Sequence, residues 1–221
     1  MTVKATLNKW HEKTAALIYG DDDQFTKTDA DIFRTALDND HVTLVDTETF
    51  HKKDVDFEAQ LTKIKALHPD VLVLGALAEE GAKIMAQARK LGITAHFMGG
   101  NGLNSPKIGQ LAGDAANGVV VGAAWFINSN QTGNRSFVSR YTQRFGTPPD
   151  QFAAQAYAAI QILAEVVGNG GATTRADLCA GLKNLRVAKT VLGPVAFAPS
   201  RDVNGAPVIL ELTPKGFDYF K

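Results

Sequence analysis

The side chains that could do chemistry in this chain are few, and their spacing argues against catalysis. Asp21, Asp22 and Asp23 follow an apolar run, and carboxylates at the end of a first strand can hold magnesium in a receiver-type α/β domain. That chemistry needs a further Asp after the third strand and a Lys after the fifth. Those places hold Gly75 with Ala76 and Gly122 with Ala123, so the triplet reads as a solvated loop that opens the next helix. Glu79 and Glu80 fall at a helix start, where the macrodipole favours carboxylates without any catalytic role. The glycine-rich GGNGLNS at 99–105 fails the spacing of a dinucleotide fingerprint. No GxxxxGK[ST] phosphate loop, GxSxG turn or HExxH pair occurs. His11, His41, His51, His68 and His96 are scattered and read as structural or solvated. The single cysteine, Cys179, excludes an internal disulfide and a multi-cysteine zinc site; beside Leu178 and Leu182 it reads as a packed, inert thiol. No catalytic residue, metal or cofactor is implied.

The elements that must position any site follow from periodicity. The stretch 54–75, DVDFEAQLTKIKALHPDVLVLG, reads as loop, amphipathic helix, Pro-containing turn and strand. Phe57, Leu61 and Ile64 recur at helical spacing, and Val71 to Leu74 form a wholly apolar run suited to a strand covered on both faces. The alternation extends both ways: strand 15–19, helix 25–37, strand 42–49, helix 79–91 stopped by Gly92, strand 95–98, a short helix after Pro106, and strand 119–123. Five strands alternating with helices predict a parallel sheet built by right-handed crossovers, with helices on both faces. After Ala124 the alternation ceases. A helix over 135–145 ends at Gly146. A longer one over about 150–167 carries the stripe Phe152, Ala156, Ile160, Leu163 and Val167, and a short helix capped by Thr173 or Thr174 follows. Two strands, 193–198 and 208–213, close the chain around PSRDVNG.

Length and charge bound the class. A chain of 221 residues with 45% hydrophobic content can bury a substantial core. Lys plus Arg and Asp plus Glu are 23 each, so no global field draws nucleic acid or an anionic membrane. No apolar run reaches the length of a membrane span, and MTVKATLNKWHEK lacks the apolar core of a secretory signal, so no signal peptide is read in this chain. In open parallel sheets a ligand sits beyond the carboxyl ends of the strands. The residues to weigh there are 21–26, 76–80, 100–104 and Trp125 with Phe126, and they include Phe25, Ala76, Leu77, Asn101 and Leu103. Asn101 could donate to a carboxylate or stabilise its own turn.

Seven segments stand in an order that resembles the type I periplasmic solute-binding proteins of the branched-chain amino acid family, the Leu/Ile/Val-binding proteins that serve ABC importers. They are LIYGDDDQF at 17–25, the 54–75 unit, IMAQARKLGI at 84–93, FMGGNGLNSP at 97–106, LAGDAANGVVV at 111–121, RYTQRFGTPPDQFAAQAYAAIQILAEV at 140–166 and LGPVAFAPSRDVNGAPVILEL at 192–212, the family's closing hairpin. The resemblance implies a bilobed protein whose first lobe this chain lacks, whether by nature, engineering or proteolysis. Residues 1–123 would be the second lobe, 124–205 a helical segment and strand that pack on the first, and 206–221 a strand crossing back. Hinges are expected near 125–128 and 204–207. The pocket would lie in the interlobe cleft. There Phe25 would offer an aromatic wall, Ala76 and Leu77 would shape the side-chain end, and Asp54 would receive a ligand ammonium or cap its helix. The implied ligand is an amino acid or a small aliphatic or aromatic carboxylic acid, the partner a membrane permease, and the location periplasmic or extracytoplasmic. An alternative is a ligand-sensing domain of a regulator or receptor with the same lobes. The wide stripe on helix 150–167 is expected to need a covering surface, for which an associated or domain-swapped dimer would serve.

Overall fold

The computed structural model describes residues 1–171, 174–205 and 207–221. They form two compact units, one of residues 1–123 with 208–221 and the other of residues 124–207. In chain order the first unit carries α1 (Thr2–Trp10), β1 (Thr14–Gly20), α2 (Gln24–Asn39), β2 (Thr43–Phe50), α3 (Glu58–Leu67), β3 (Val71–Gly75), α4 (Ala78–Lys90), β4 (His96–Gly99), α5 (Lys107–Ala112) and β5 (Val120–Ala123). The second carries α6 (Asn134–Phe145), α7 (Gln151–Gly170), α8 (Arg175–Asn184), β6 (Ala188–Thr190), β7 (Gly193–Phe197) and β8 (Val203–Asn204). The chain then returns to the first unit as β9 (Val208–Thr213) and β10 (Gly216–Tyr219).

The first unit is a seven-stranded sheet in the order β10-β9-β5-β4-β3-β1-β2. The five strands that alternate with helices pair in parallel, as the periodicity predicts. Beyond them β9 lies antiparallel to β5, and β10 antiparallel to β9. The central strands are apolar because both faces are covered. Ala15, Leu17, Val71, Val73 and Met98 meet Ala30, Phe33 and Leu37 of α2 and Val3 of α1. By strand alternation Ile18, Leu72, Leu74 and Phe97 face the other way. The chain moves from β1 outward to β2, then reverses across β1 to β3 and onward to β5. Right-handed crossovers therefore put α2 on one face and α3, α4 and α5 on the other.

Three sequence readings are corrected. The strands 193–198 and 208–213 do not form a hairpin: β7 pairs with β6 and β8, whereas β9 buries Leu210 and Leu212 beside β5. Helix α1 was not anticipated, although Val3, Leu7 and Trp10 recur at helical spacing and pack on the same core; His11, in the left-handed conformation, closes it. Cys179 is exposed, because none of the described residues of α8 is buried.

The second unit has its own core. Trp125, Phe137, Ala154, Ala158 and Val191 pack together, and Ile162, Ala188 and Val195 form a neighbouring cluster. Gly146, at φ 74°, ends α6, and the Asp150 carboxylate caps α7 by accepting from the backbone N–H of Ala153 at 2.9 Å. Thr174 and Asp177 form a capping box at α8; Thr173 lies outside the described residues. Helix α7 is apolar on two sides. Ala154, Ala158 and Ile162 are buried, while Phe152, Ile160, Leu163 and Val167 of the expected stripe are exposed.

At the amino-terminal end of the first unit's sheet, Asp70 ties β1 to β3. Its Oδ2 accepts from the backbone N–H of Lys13 at 2.8 Å and of Thr14 at 2.9 Å, and from Thr14 Oγ1 at 3.0 Å. The Lys13 N–H, with smaller help from Thr14, holds this carboxyl below the usual carboxylate range. Asp70→Ala is therefore expected to cost about 1–2 kcal/mol near neutral pH. Because the folded carboxyl is the more acidic, that cost is present above the unfolded pKa and fades as pH falls through the folded value. Urea unfolding of the variant at about pH 7 and about pH 3 checks both size and direction.

Candidate functional site

The reversal of direction between β1 and β3 leaves a crevice at their carboxyl ends, the place where open α/β sheets accept ligands. The residues that follow these strands are held by short local bonds. Asp23 caps α2, its Oδ1 accepting from the backbone N–H of Phe25 at 2.9 Å and of Thr26 at 3.2 Å, and the Thr26 hydroxyl lies 2.6 Å from the Gly20 carbonyl oxygen. Phe25 is thereby fixed in the first turn with 42% of its surface exposed. Asp22 accepts from the backbone N–H of Lys52 at 3.0 Å, and Asp21 lies 3.4 Å from His51 Nε2. The acidic triplet thus ties the ends of β1 and β2 together. No group of His, Cys, Asp and Glu that could hold a metal ion occurs among the described residues.

The loop after β4 meets this edge at Gly102, in a short 3₁₀ turn over Asn101–Leu103. A Cβ at Gly102 would sit 2.5 Å from the Ala76 carbonyl oxygen, 3.0 Å from Phe25 Cε1 and 3.3 Å from Leu77 Cδ2. Glycine is what lets the loop close on both neighbours. Phe25, Leu77 and the backbone of Ala76 are therefore brought together, with half-buried Asn101 beside them; the Ala76 methyl itself is buried. Between Gly20, Thr26, Phe50, Leu77 and Glu80 lies a recess of about 10 Å³, room for one water.

The other expected site residues lie elsewhere. Leu103 is fully buried, wedged where a Cβ at Gly81 or Gly99 would strike it, so its side chain packs the interior. Asp54 follows β2 and closes a turn: its Oδ2 accepts from the His51 N–H at 2.8 Å, while the Asp54 N–H donates to the His51 carbonyl at 3.0 Å. It is Asp56 whose carboxylate accepts from the Glu58 N–H at the start of α3. Trp125 is buried in the core of the second unit, edge-on to Phe137, its indole N–H donating to Asn134 Oδ1 at 2.7 Å. Phe126 is buried as well. The second expected hinge, 204–207, includes Ala206, which lies outside the described residues.

Two carboxyls that the motif reading left aside lie near this edge. Glu80 is buried, and its Oε1 accepts from the Lys53 N–H at 3.2 Å, linking α4 to the loop after β2. Its place four residues before Ile84, on the buried face of α4, is the signal that could have found it. Asp29, on α2, points at Gly100, where a Cβ would collide with its carboxylate. Its Oδ2 is buried without a hydrogen-bond partner, and burial pushes the carboxyl up to about 7. In the second unit an open recess of about 320 Å³ lies among Ser129, Gln131 and Arg135.

Residues 1–210 match the family of periplasmic binding proteins. A Leu/Ile/Val-binding protein of Rhizobium johnstonii is 26% identical over 204 residues, which are 92% of this chain and 55% of that protein. The chain thus spans about half the length of the curated relatives it matches. A leucine-binding protein of Thermotoga maritima superposes with a TM-score of 0.90 at 20% identity, over 100% of this chain and 63% of its own. A branched-chain amino acid binding protein of Streptococcus pneumoniae, solved with isoleucine, gives 0.84 at 22% identity over 98% and 62%. A solute-binding protein of an R. palustris ABC transporter, solved with benzoate, gives 0.84 at 19% over 99% and 61%. At these identities the structures establish the fold alone, a type I periplasmic binding protein architecture. No helix of the described residues is long and apolar enough to cross a membrane. With its parallel sheet, its second helical unit and a match over nearly its whole length, this chain belongs to the periplasmic binding protein family.

Proposed function

We propose that this chain supplies one ligand-binding edge of an extracytoplasmic solute-binding protein that delivers a small carboxylic acid, an amino acid or an aliphatic or aromatic acid, to the permease of an ABC importer. The observation that carries the reading is the convergence of Phe25, Leu77 and Gly102 at the switch point between β1 and β3. An exposed aromatic ring beside a half-buried leucine suits the apolar body of such a ligand, and Asn101 is the adjoining group able to donate to its carboxylate. Relatives solved with isoleucine and with benzoate span that class. Asp54 keeps a place in the proposal as an acceptor at the rim beyond β2, reached by a ligand ammonium if its turn opens.

The recess of about 10 Å³ is far smaller than the roughly 300–1,000 Å³ of small-molecule pockets. A second surface must therefore close over this edge to desolvate the ligand. The natural source is the length of polypeptide that relatives possess and this chain does not span, and the same polypeptide would cover the exposed stripe of α7. The chain by itself is expected to bind isoleucine or benzoate with a Kd of about 1 mM or weaker. Phe25→Ala is expected to weaken that binding about tenfold, since the lost contact area is worth roughly 1–1.5 kcal/mol. Isothermal titration of both proteins with isoleucine and with benzoate tests the reading, and equal affinities with and without the ring would remove Phe25 from the site.

A further inference from the structure

Helix α2 presents two residues, one turn apart, to the loop that follows β4. Phe25 faces Gly102, and Asp29, four residues on, faces Gly100. At both positions the loop's glycine allows a contact that a side chain would prevent. The loop is fixed at its far end by fully buried Leu103, and the Leu103 N–H donates to the Gly100 carbonyl at 3.2 Å. The segment from Gly100 to Gly102 therefore rests on the Asp29 carboxyl, and Asn101 stands between the two contacts.

One oxygen of that carboxyl lacks a partner, in a residue that is itself half-buried. Its Oδ2 is buried without a hydrogen bond. The elements packed on α2 are α1, β1, β2 and β3, and their titratable groups are Lys4, Lys9, Tyr19, Asp46 and Glu48. The loop itself carries none, and α2 adds Lys27, Asp31, Arg34 and Asp38. None of these sets the charge of Asp29, whose displacement from the ordinary carboxylate range comes from burial alone. An ionised carboxylate so placed must gain either a proton or water. Oδ2 lies against Gly100, so water reaches that oxygen from the loop side only if the loop lifts.

We propose that Asp29 is a positioning residue of the ligand edge: when neutral it is the floor on which Gly100 and Asn101 rest, and on ionising it displaces them, so that a single proton sets the shape this edge presents. The consequence for ligand rests on the function proposed above; the movement of the loop does not.

The test needs no ligand. In the isotope-labelled chain, the Asp29 carboxyl carbon and the amides of Gly100, Asn101 and Gly102 are followed by NMR from pH 5 to 9. With a midpoint of about 7, the ionised fraction rises from about one tenth at pH 6 to about nine tenths at pH 8, and the three amides are expected to move with the carboxyl. In Asp29→Asn, a neutral isostere, those amides should hold their low-pH positions throughout. Amides that stay still while Asp29 titrates, or that titrate equally in the variant, would overturn the proposal, as would an Asp29 midpoint near 4. The wild-type titration decides the matter even if the variant does not fold. A chain that bound no acid at all would still show the coupled titration, so this inference and the ligand reading fail separately.

Discussion

Asn134→Leu is expected to lower the stability of the second unit by about 3 kcal/mol. Asn134 is fully buried, and its side chain serves three groups at once. Its Oδ1 accepts the Trp125 indole N–H at 2.7 Å, and its Nδ2 donates to the carbonyls of Ile127 at 2.8 Å and Ser129 at 2.9 Å. Leucine shares its branching, is bulkier, and serves none of them. Each buried polar group left unpaired costs about 1–3 kcal/mol, and rehydration of those near the surface keeps the total below the full sum. Asn134→Asp keeps the acceptor for Trp125 but turns a carboxylate towards two carbonyls, and it is expected to be nearly as harmful. The chain has two tryptophans, Trp10 in the first unit and Trp125 in the second, so in a Trp10→Phe background urea unfolding followed by fluorescence reads Trp125 alone. A loss under about 1 kcal/mol would show that the hub is replaceable by packing.

Asp29→Asn should act in the opposite direction and depend on pH. Burial raises the folded carboxyl from 3.8 to about 7. Between those values the unfolded chain has released a proton that the folded chain still holds, so stability falls as pH rises through that window and the loss is complete above about 7. Asparagine cannot ionise. Three pH units at about 1.4 kcal/mol each set an upper bound near 4 kcal/mol, and the unpartnered amide takes back part of it. The variant is therefore expected to be more stable than wild type by about 2–3 kcal/mol at pH 8, with the advantage gone at about pH 4. Urea midpoints at the two pH values measure it. An equal effect at both would mean that Asp29 carries its ordinary pKa.

The parallel core was legible because its cause is local. Val71 to Leu74 are apolar since both faces of β3 are covered, and helix stops such as Gly92 and Gly146 appear in the sequence as the glycines that positive φ requires. What pairs at long range was not. That β9 extends the sheet beside β5, and not beside β7, depends on a contact across 85 or more residues that no periodicity records. At the proposed site, position after a strand selected Phe25 and Leu77, which the structure sets together against Gly102, but could not tell outward from inward. Leu103 and Trp125 stand one or two residues past a strand or inside a tight turn, and both turn into a core. Asp29 left no trace in the sequence, because a mid-helix aspartate looks solvated until the fold brings a glycine loop down upon it. Asp23 was readable as the opening of α2, and it is the cap that fixes Phe25.

A ligand that meets this chain in the crevice between β1 and β3 should be visible in the amide shifts of the residues there. Isoleucine and benzoate would be titrated separately into the labelled protein to about 20 mM, above the millimolar Kd expected here. Shift changes are expected to gather at Phe25, Leu77, Asn101 and Gly102, with curvature corresponding to weak binding. Changes gathered elsewhere, or spectra that stay unchanged by both acids, would contradict this placement of the ligand.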